Sequence, residues 1–442
     1  MGTVTHHSIP TAPAPSPLAA EYDAIARGDH ATGSRGTIRF AVSTDDTTEG
    51  KGDLFVALGL ARALRAHGWG VDLWPIRRWA EDVPDDTTVL VSMIESFVPG
   101  LVPSRTATVA WVRNWTAQWA SSPSLAEFDA VWASSSIARD ALSEVVDVPV
   151  EVVPIGVDLD LFRPDVDGTP GPRTGRTVTT VNFWGARRGV QDVLQQVAPA
   201  EPVVWFAANV EHVDAAPGVE LRPAVSYFAL PEVYRAAAFV VDDVIAPAAE
   251  FGTLNSRLYE SLACGALPVT NCALGLDELG LADVPVFTDA ASLERAIAMP
   301  AHERDDRAER LRNVVVERHS YARRAEQVAP SLDAALERAA TRSGTRHPLL
   351  RWATLQREVL RATEQERDVH RAGVDDINRR LIVSEEAVAV LDRARQDAEA
   401  ARRRAEAERD AIATRYDALT HSAEFRALDR LGGVARALRR RG

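Results

Sequence analysis

The sequence has very little cysteine, a single lysine and no long apolar run. Its only cysteines, Cys264 and Cys272, have neither metal-ligand spacing nor a disulfide framework, so we expect a reducing, cytoplasmic location. No run approaches the roughly 18 apolar residues that span a bilayer, and we expect neither a transmembrane helix nor a signal peptide. The formal net charge of −13 argues against a dedicated nucleic-acid-binding protein.

The pattern along the chain divides it into five parts. Residues 1–35 are rich in Pro, Ala, Ser and Thr without periodicity, and we expect them to be disordered. Short apolar runs alternate with helical patterns over 36–164 and again over 176–340, which predicts two α/β domains with parallel sheets. Residues 165–175 are rich in Gly, Pro, Asp and Thr and mark a linker. Residues 345–442 nearly lack Pro and Gly, which predicts a helical tail.

The tail has an incomplete heptad pattern. Ile377, Leu381 and Leu391 begin an apolar seam, but the following core positions hold Arg395, Arg402 and Arg409. We therefore expect a long helix with a weak coiled coil, broken or kinked near Gly373, and a homodimer through this helix stays open.

The last segment of the tail is both apolar and basic. Apolar residues at helical spacing are surrounded by arginines, a pattern that suits peripheral contact with an anionic membrane at its inner face. The alternative is a solvated helix end whose cations favour the helix dipole. The apolar residues are Leu428, Leu431, Val434 and Leu438, and the arginines are Arg426, Arg430, Arg436 and Arg439 to Arg441.

The first α/β domain begins with a βαβ unit. The strand Thr37–Ser43 leads into a polar loop with Gly50 and Gly52, and a helix follows over Asp53–His67. A glycine loop at the carboxyl end of a strand is where doubly wound sheets bind ligands. The loop does not have the GxGxxG pattern, so it does not by itself indicate a dinucleotide.

A second loop-and-helix segment lies between Glu250 and Asn271. We predict Thr253 as the N-cap of a helix that runs to about Cys264 and ends at a left-handed Gly265. The first-turn N–H groups of such a helix attract phosphate. Glu260, one turn in, can accept hydrogen bonds from vicinal hydroxyls such as those of a ribose.

These residues carry a family resemblance. The strings Arg257-Leu258-Tyr259-Glu260 and Gly265-Ala266-Leu267-Pro268-Val269 resemble the donor-binding helix of retaining GT-B glycosyltransferases, in the group with spore-coat-type enzymes. The resemblance implies two Rossmann-like domains that face each other across a cleft. Of the family's two glutamates, Glu260 matches the one that binds the ribose. The other position holds Gly252, and Glu250 is the candidate replacement on a longer loop. Alternatively, Arg257 simply pairs with Glu260 at i,i+3.

Other segments match the same family. Pro154-Ile155-Gly156-Val157-Asp158 resembles the interdomain crossing, and Arg188 stands where relatives have a basic residue that binds the donor diphosphate. Arg113 and Asn114 end a strand where many relatives place a histidine. The resemblance therefore implies catalytic roles for Arg188 and Glu250, donor binding by Gly52, Arg187, Arg188, Asn255, Arg257 and Glu260, and an acceptor side with Arg113 and Asn114.

The implied function is transfer of a hexose-type sugar from a nucleotide-diphosphate sugar to a surface polysaccharide or glycoconjugate, with retention. The partners would be the nucleotide sugar and a glycan or lipid-linked acceptor, with no metal and no cofactor beyond the co-substrate. The missing first glutamate and histidine keep a second hypothesis open, a catalytically inactive GT-B scaffold that works through its tail. A sugar-nucleotide epimerase on the same fold is the third.

Overall fold

The structure is a computed structural model that describes residues 16–165, 175–182, 188–197, 199, 202–208, 218–342, 348–423 and 426–427. The chain divides into a larger unit that ends at Val359 and a C-terminal unit that begins at Leu360. The predicted α/β architecture with two parallel sheets lies in the larger unit and is confirmed.

The first sheet contains six parallel strands in the order β2-β1-β3-β4-β5-β6. Alternate residues of its central strands enter two separate clusters, for example Phe40 and Val42 on one face and Ala41 and Leu90 on the other. The sheet is therefore buried on both faces, as the continuous apolar runs predict. The strands are β1 Thr37–Val42, β2 Gly70–Pro75, β3 Thr87–Ser92, β4 Ala107–Val112, β5 Ala130–Ala133 and β6 Val150–Val152.

The first helix of this half lies in the segment that we expected to be disordered. The segment Pro17–Ala26 is a helix, α1, with Ser16 as its N-cap. Its Tyr22 and Ile25 are fully buried, and Tyr22 donates from its hydroxyl to Asp158 at 2.7 Å. The prediction of disorder over 1–35 is therefore wrong from Ser16 onward, because α1 packs on the domain. The other helices are α2 Gly52–Arg65, α3 Thr116–Ser121 and α4 Ser136–Ser143.

The second sheet has five described parallel strands in the order β11-β10-β7-β8-β9. Pro268 lies in the edge strand of this sheet, where a missing N–H is tolerated. The strands are β7 Thr177–Thr179, β8 Val203–Ala207, β9 Val219–Pro223, β10 Phe239–Asp242 and β11 Leu267–Thr270. The helices are α5 Gly189–Leu194, α6 Leu230–Ala236, α7 Ala246–Ala249, α8 Ser256–Ala263, α9 Ala290–Ile297 and α10 Ala301–Arg318.

Helix α11, Tyr321–Thr341, follows the second sheet but packs back on the first half of the chain. Its Ser331 accepts a hydrogen bond from the Trp132 indole at 3.0 Å. It crosses α2 so closely that a Cβ added at Gly59 would lie 2.2 Å from Cε2 of Tyr321. This helix therefore fixes the two sheets relative to each other.

Helix α12 runs from Pro348 to Thr420. Its first turns belong to the larger unit, where Thr354 is buried and accepts a hydrogen bond from the Gly100 N–H at 3.1 Å. The long helix is confirmed and continues through Gly373, so a break there is wrong, whereas the alternative of a kink stays a prediction. Within the described residues no helix is both long and apolar enough to span a membrane.

Candidate active site

A cleft of about 240 Å³ opens where the carboxyl ends of the two sheets meet. In the first sheet β2 and β3 lie on opposite sides of β1, and in the second sheet β8 and β10 lie on opposite sides of β7. Each cleft wall therefore lies at a topological switch point, the ligand-binding position of open parallel sheets. The cleft is lined by seven of the predicted site residues, namely Gly52, Arg113, Asn114, Arg188, Asn255, Arg257 and Glu260.

The start of α2 forms one wall of this cleft. Gly50 is left-handed at φ 64°, and Gly52 is the first residue of the helix. A Cβ at either glycine would meet no other atom within 4 Å, so the space above the loop is open. The N-cap residue is Lys51, whose side chain makes no capping hydrogen bond, and Asp53 accepts hydrogen bonds from the Ser43 N–H at 2.7 Å and hydroxyl at 2.8 Å. The first-turn N–H groups stay available to an anion.

The start of α8 forms the opposite wall. Its N-cap is Asn255 rather than the predicted Thr253, whose hydroxyl instead hydrogen-bonds the Ser134 hydroxyl of the first domain. The Asn255 amide donates to Asp242 Oδ1 at 3.0 Å and to the Asp243 carbonyl at 2.9 Å. Because that side chain is engaged below the helix, α8 also begins without a side-chain cap. Gly265 is left-handed at φ 83°, as predicted.

Arg257 is bound within the protein rather than free to reach a ligand. Its Nη1 donates to Asp242 Oδ1 at 2.7 Å, and its Nε donates to the Thr180 hydroxyl at 2.9 Å. Thr270 completes the surroundings of Asp242 with a hydrogen bond of 3.1 Å. The alternative pairing of Arg257 with Glu260 is therefore not the one formed, since Asp242 takes the guanidinium.

Glu260 projects into the cleft one turn after the start of α8. It is 4% exposed, and burial raises the pKa of its carboxyl to about 7 even though Arg257 and hydrogen bonds from Tyr227 and Ser256 oppose the shift. Tyr227 stacks on Phe55 with ring centroids 3.8 Å apart. A stacked pair of aromatic rings, one from each domain, thus lies next to a carboxyl group whose pKa is about 7.

Arg188 precedes α5 on the same side of the cleft. Its Nε lies 3.1 Å from Oδ2 of Asp243, a carboxylate that also accepts from the Val190 N–H at 3.2 Å and the Asn271 amide at 3.0 Å. Burial lowers the pKa of the Arg188 guanidinium and raises that of the Asp243 carboxyl. Arg188 therefore forms an ion pair with Asp243 at the cleft, but the pair lacks hydrogen-bond geometry, and the Arg188 Nε has no hydrogen-bond partner among the described residues. Arg187 lies outside the described residues.

Glu250 is not brought to the cleft. It is exposed, follows the short helix α7 and does not line the cavity. The turn after it bends back at Gly252, which is left-handed at φ 66°, and the Phe251 carbonyl accepts a hydrogen bond from Ser135. The position of Glu250 gives no support to its predicted contact with the donor sugar.

Arg113 and Asn114 follow β4 and line the cleft from the first domain. Burial lowers the pKa of the Arg113 guanidinium. The next residue, Trp115, is the only described non-glycine residue with positive φ, at 58°. Of the nearby tryptophans, Trp111 and Trp119 are core residues, whereas Trp115 is 39% exposed.

Two buried aspartates of the site were not predicted from the sequence. Asp242, the last residue of β10, and Asp243, which follows it, hold Arg257, Asn255 and Arg188, and neither aspartate is among the predicted site residues. The sequence signal for these two residues is a pair of acidic residues at the end of an apolar strand, because buried carboxylates need basic partners. Among the described residues no group of three or more His, Cys, Asp or Glu side chains is placed to hold a metal ion.

The two sheets and the cleft define the fold class of the protein. Two parallel α/β sheets face each other at their carboxyl ends, with the last α/β helix packed back on the first half, and this arrangement is the GT-B fold. Residues 177–329 match the family model described as glycosyl transferase-like, so the match covers the second sheet and most of the helices around it. No curated protein matches the sequence significantly.

Several solved structures are similar to this chain at low sequence identity. Sucrose-phosphate synthase from Thermosynechococcus elongatus is 14% identical with a TM-score of 0.52, and the match covers 68% of this chain and 99% of that one. AviGT4, a glycosyltransferase involved in avilamycin A biosynthesis, is 16% identical with a TM-score of 0.49 over 68% and 98%. HepE from Anabaena, solved with UDP-glucose, is 12% identical with a TM-score of 0.49 over 67% and 99%.

Proposed function

We propose that the protein transfers a sugar from a nucleotide-diphosphate sugar to a surface polysaccharide or glycoconjugate, with retention of configuration. The observation that carries this proposal is the position of Glu260. Its buried carboxyl group lies in the same cleft as the uncapped starts of α2 and α8 and the guanidinium of Arg188. That set of groups suits one ligand with a pair of hydroxyls beside a diphosphate.

The donor would occupy the second-domain wall. Glu260 would accept hydrogen bonds from the two ribose hydroxyls. The first-turn N–H groups of α8 and the Arg188 guanidinium would bind the diphosphate, because a helix start and a planar fork both suit phosphate oxygens. Asn255 and Arg257 would act as positioning residues, since Asp242 holds both side chains beneath the helix start.

The chemistry would depend on stabilising the leaving group. The bond between the anomeric carbon and the phosphate oxygen breaks, the acceptor oxygen attacks from the same face, and its proton passes to the leaving phosphate. The cleft supports this scheme, since its described lining contains no histidine and only two carboxyl groups, Asp53 and Glu260. Asp53 is engaged by Ser43, and Glu260 is assigned here to the ribose hydroxyls, so neither is assigned as a general base. Arg188 would neutralise the charge that develops on the diphosphate.

The proposed acceptor is inferred from the family resemblance and from the sequence of the tail. We propose that the acceptor is a glycan or a lipid-linked sugar bound on the Arg113 and Asn114 side of the cleft. The protein would work in the cytoplasm, peripherally at the inner face of the membrane, with the basic apolar end of the tail as its contact. Apart from Arg426, that end lies outside the described residues, so the proposal depends on its sequence pattern.

The first experiment is a calorimetric titration with UDP, GDP, dTDP and ADP. For the nucleotide that binds, Glu260→Ala should weaken binding by about 1–3 kcal/mol, the cost of losing charge-assisted hydrogen bonds. Glu250→Ala is the matched control and should change affinity little, because Glu250 is exposed outside the cleft. Unchanged affinity in a folded Glu260→Ala protein would place the nucleotide elsewhere.

The same protein can be tested for activity without knowledge of the acceptor. A glycosyltransferase slowly hydrolyses its donor when water replaces the acceptor, whereas a catalytically inactive scaffold does not. We expect release of free sugar from a nucleotide sugar whose base is that of the nucleotide that binds most tightly in the titration. Nucleotide binding without any hydrolysis would favour the scaffold.

A further inference from the structure

Three arginines among the described residues line the cleft, and they differ in their partners. Arg188 pairs with Asp243 at 3.1 Å, and Arg257 pairs with Asp242 at 2.7 Å. Within the described part of the chain, Arg113 has no carboxylate oxygen within 4.0 Å. The cleft therefore contains one guanidinium whose counter-charge is not supplied by the described protein.

The hydrogen bonding of Arg113 is also incomplete. Its Nη2 lies 3.4 Å from the Met93 carbonyl, a long contact, and its buried Nε has no acceptor. A guanidinium carries five N–H donors in a planar fork. Leaving a buried charged donor unsatisfied is costly, so buried groups of this kind are normally paired. Arg113 lines the cleft, and the Met93 carbonyl is the one acceptor that the described residues give its Nη groups, so their other donors remain available to a ligand.

The nearby carboxylates do not supply this pairing. Asp53 and Glu95 are near enough to favour the charged form of Arg113, yet burial outweighs both and lowers the pKa of the guanidinium. The two oxygens of Asp53 are already engaged by the N–H and hydroxyl of Ser43. The uncapped start of α2 lines the same wall and adds positive potential there.

The backbone beside Arg113 is strained. Trp115, two residues on, adopts φ 58° and ψ 40°, a left-handed conformation that costs about 1–2 kcal/mol in a residue with a bulky side chain. Strain of this kind persists where the surrounding structure fixes the chain, and it is concentrated at functional sites. The turn thus holds Arg113 at the end of β4, facing the cleft.

We infer that Arg113 binds a carboxylate or phosphate group carried by the sugar substrate, on the first-domain side of the cleft. The inference rests on the proposed function, because the donor diphosphate is assigned there to Arg188 and α8. The anion at Arg113 is therefore a second one. It belongs either to the transferred sugar, as in a uronic acid, or to the acceptor, as in a sugar phosphate. Both fit a guanidinium fork.

The experiment compares ligands that differ only in this charge. In the donor arm, calorimetry compares UDP-glucose with UDP-glucuronate, or GDP-mannose with GDP-mannuronate if guanine is the preferred base. In the acceptor arm, the protein saturated with its nucleoside diphosphate is titrated with glucose 6-phosphate and with glucose. The charged member of at least one pair should bind about tenfold or more tightly than its neutral counterpart.

The variants identify the residue responsible. Arg113→Met should reduce that preference to about twofold or less, and Arg113→Lys should restore part of it. Arg139→Met removes an equal charge from an exposed site of the same domain and should leave the preference intact. Equal binding of charged and neutral ligands in both arms, or a preference that survives Arg113→Met, would overturn the inference.

This result can be separated from failure of the proposed function. The unsubstituted nucleoside diphosphate should bind the Arg113→Met protein within about twofold of the original affinity, because its assigned contacts are on α8 and Arg188. Absence of any nucleotide binding by the original chain would defeat the proposed function. Nucleotide binding without a charge preference would defeat only the assignment of Arg113.

Discussion

Arg257 donates to Asp242 across 2.7 Å, and the Asp242 side chain is completely buried. The same carboxylate oxygen accepts from Asn255, so one aspartate at the end of β10 holds two residues at the start of α8. A buried ion pair of this kind contributes geometry more than stability. Its consequence is that the charge of Arg257 is neutralised beneath the cleft, while α8 presents its N–H groups and Glu260 to the cavity.

The raised pKa of Glu260 predicts that ligand binding depends on pH. Its carboxyl titrates near pH 7, so it is mostly protonated at pH 6 and mostly ionised at pH 8. The ionised form is the better acceptor for two ribose hydroxyls. A nucleotide sugar, whose diphosphate is esterified at both ends and keeps its charge, should bind up to about tenfold more tightly at pH 8 than at pH 6. Glu260→Gln should show no such rise by calorimetry.

The raised pKa of Glu260 has the opposite effect on the stability of the ligand-free protein, which should fall as the pH rises. Between its usual value of 4.5 and about 7, folded Glu260 holds a proton that the unfolded chain has lost. Its contribution is therefore complete below pH 4.5 and is lost as the pH rises through 7. Denaturant titrations at pH 5 and pH 8 should show a smaller loss in Glu260→Gln than in the original chain. Identical losses would mean that Glu260 does not titrate in this range.

Arg188 should affect turnover more than binding of the base and ribose. Removing one donor to a developing oxyanion typically costs about 10²–10³ in kcat, so Arg188→Ala should fall in this range. Affinity for the nucleoside without phosphates should not change, which also shows that the site is still folded. Arg310→Ala, on the exposed side of α10, is the control for charge. Arg187→Ala should have a smaller effect, and equal small losses from both would make them surface residues.

Much of the fold was accessible from the sequence because local rules agree with it. β1 begins at the predicted Thr37 and ends one residue before the predicted Ser43, because its apolar residues give way there to a polar loop. Gly265 terminates α8 because only a left-handed residue continues into the next strand there. Glu260 was found as a cleft residue from its place in the helix, one turn after an anion-binding start.

The errors arise where distant contacts decide between similar local choices. Thr253 and Asn255 are comparable N-caps, and the contact of Thr253 with Ser134, far away in the sequence, selects Asn255. Helix α1 has the composition of a disordered tail, yet Tyr22 is ordered by Asp158, 136 residues away. The i,i+3 spacing of Arg257 and Glu260 could not reveal that Asp242 lies closer to the guanidinium.

Gly59 should be indispensable for the crossing of α2 and α11. An alanine Cβ there would lie 2.2 Å from the Tyr321 ring, which is buried and unable to withdraw easily. Gly59→Ala should lower stability by about 1–3 kcal/mol, the usual cost of overpacking a core, and lower the Tm accordingly. Gly373→Ala is the control, because a Cβ at this helical glycine meets no atom within 4 Å. A Tm that does not fall in Gly59→Ala would show that the helices can separate without cost.

The last prediction concerns the tail, whose first turns belong to the larger unit and should be kept in a truncated chain. A chain ending near residue 345 would lose the first turns of α12, where Thr354 covers Gly100 and Arg351 pairs with Asp82. A chain ending at Val359 keeps those contacts and should retain the Tm of the larger unit, whereas the shorter one should melt earlier.

Vesicle sedimentation then tests the membrane proposal with the chain that ends at Val359. The full chain should pellet with anionic liposomes at low salt and be released at high salt, because its basic end is attracted to head groups and salt screens that attraction. The chain ending at Val359 should stay in solution under both conditions. If the two behave alike, the basic end does not bind membrane. The exposed seam residues Ile377, Leu381 and Leu391 would then favour association between helices, which sedimentation velocity of the full chain would detect as a dimer.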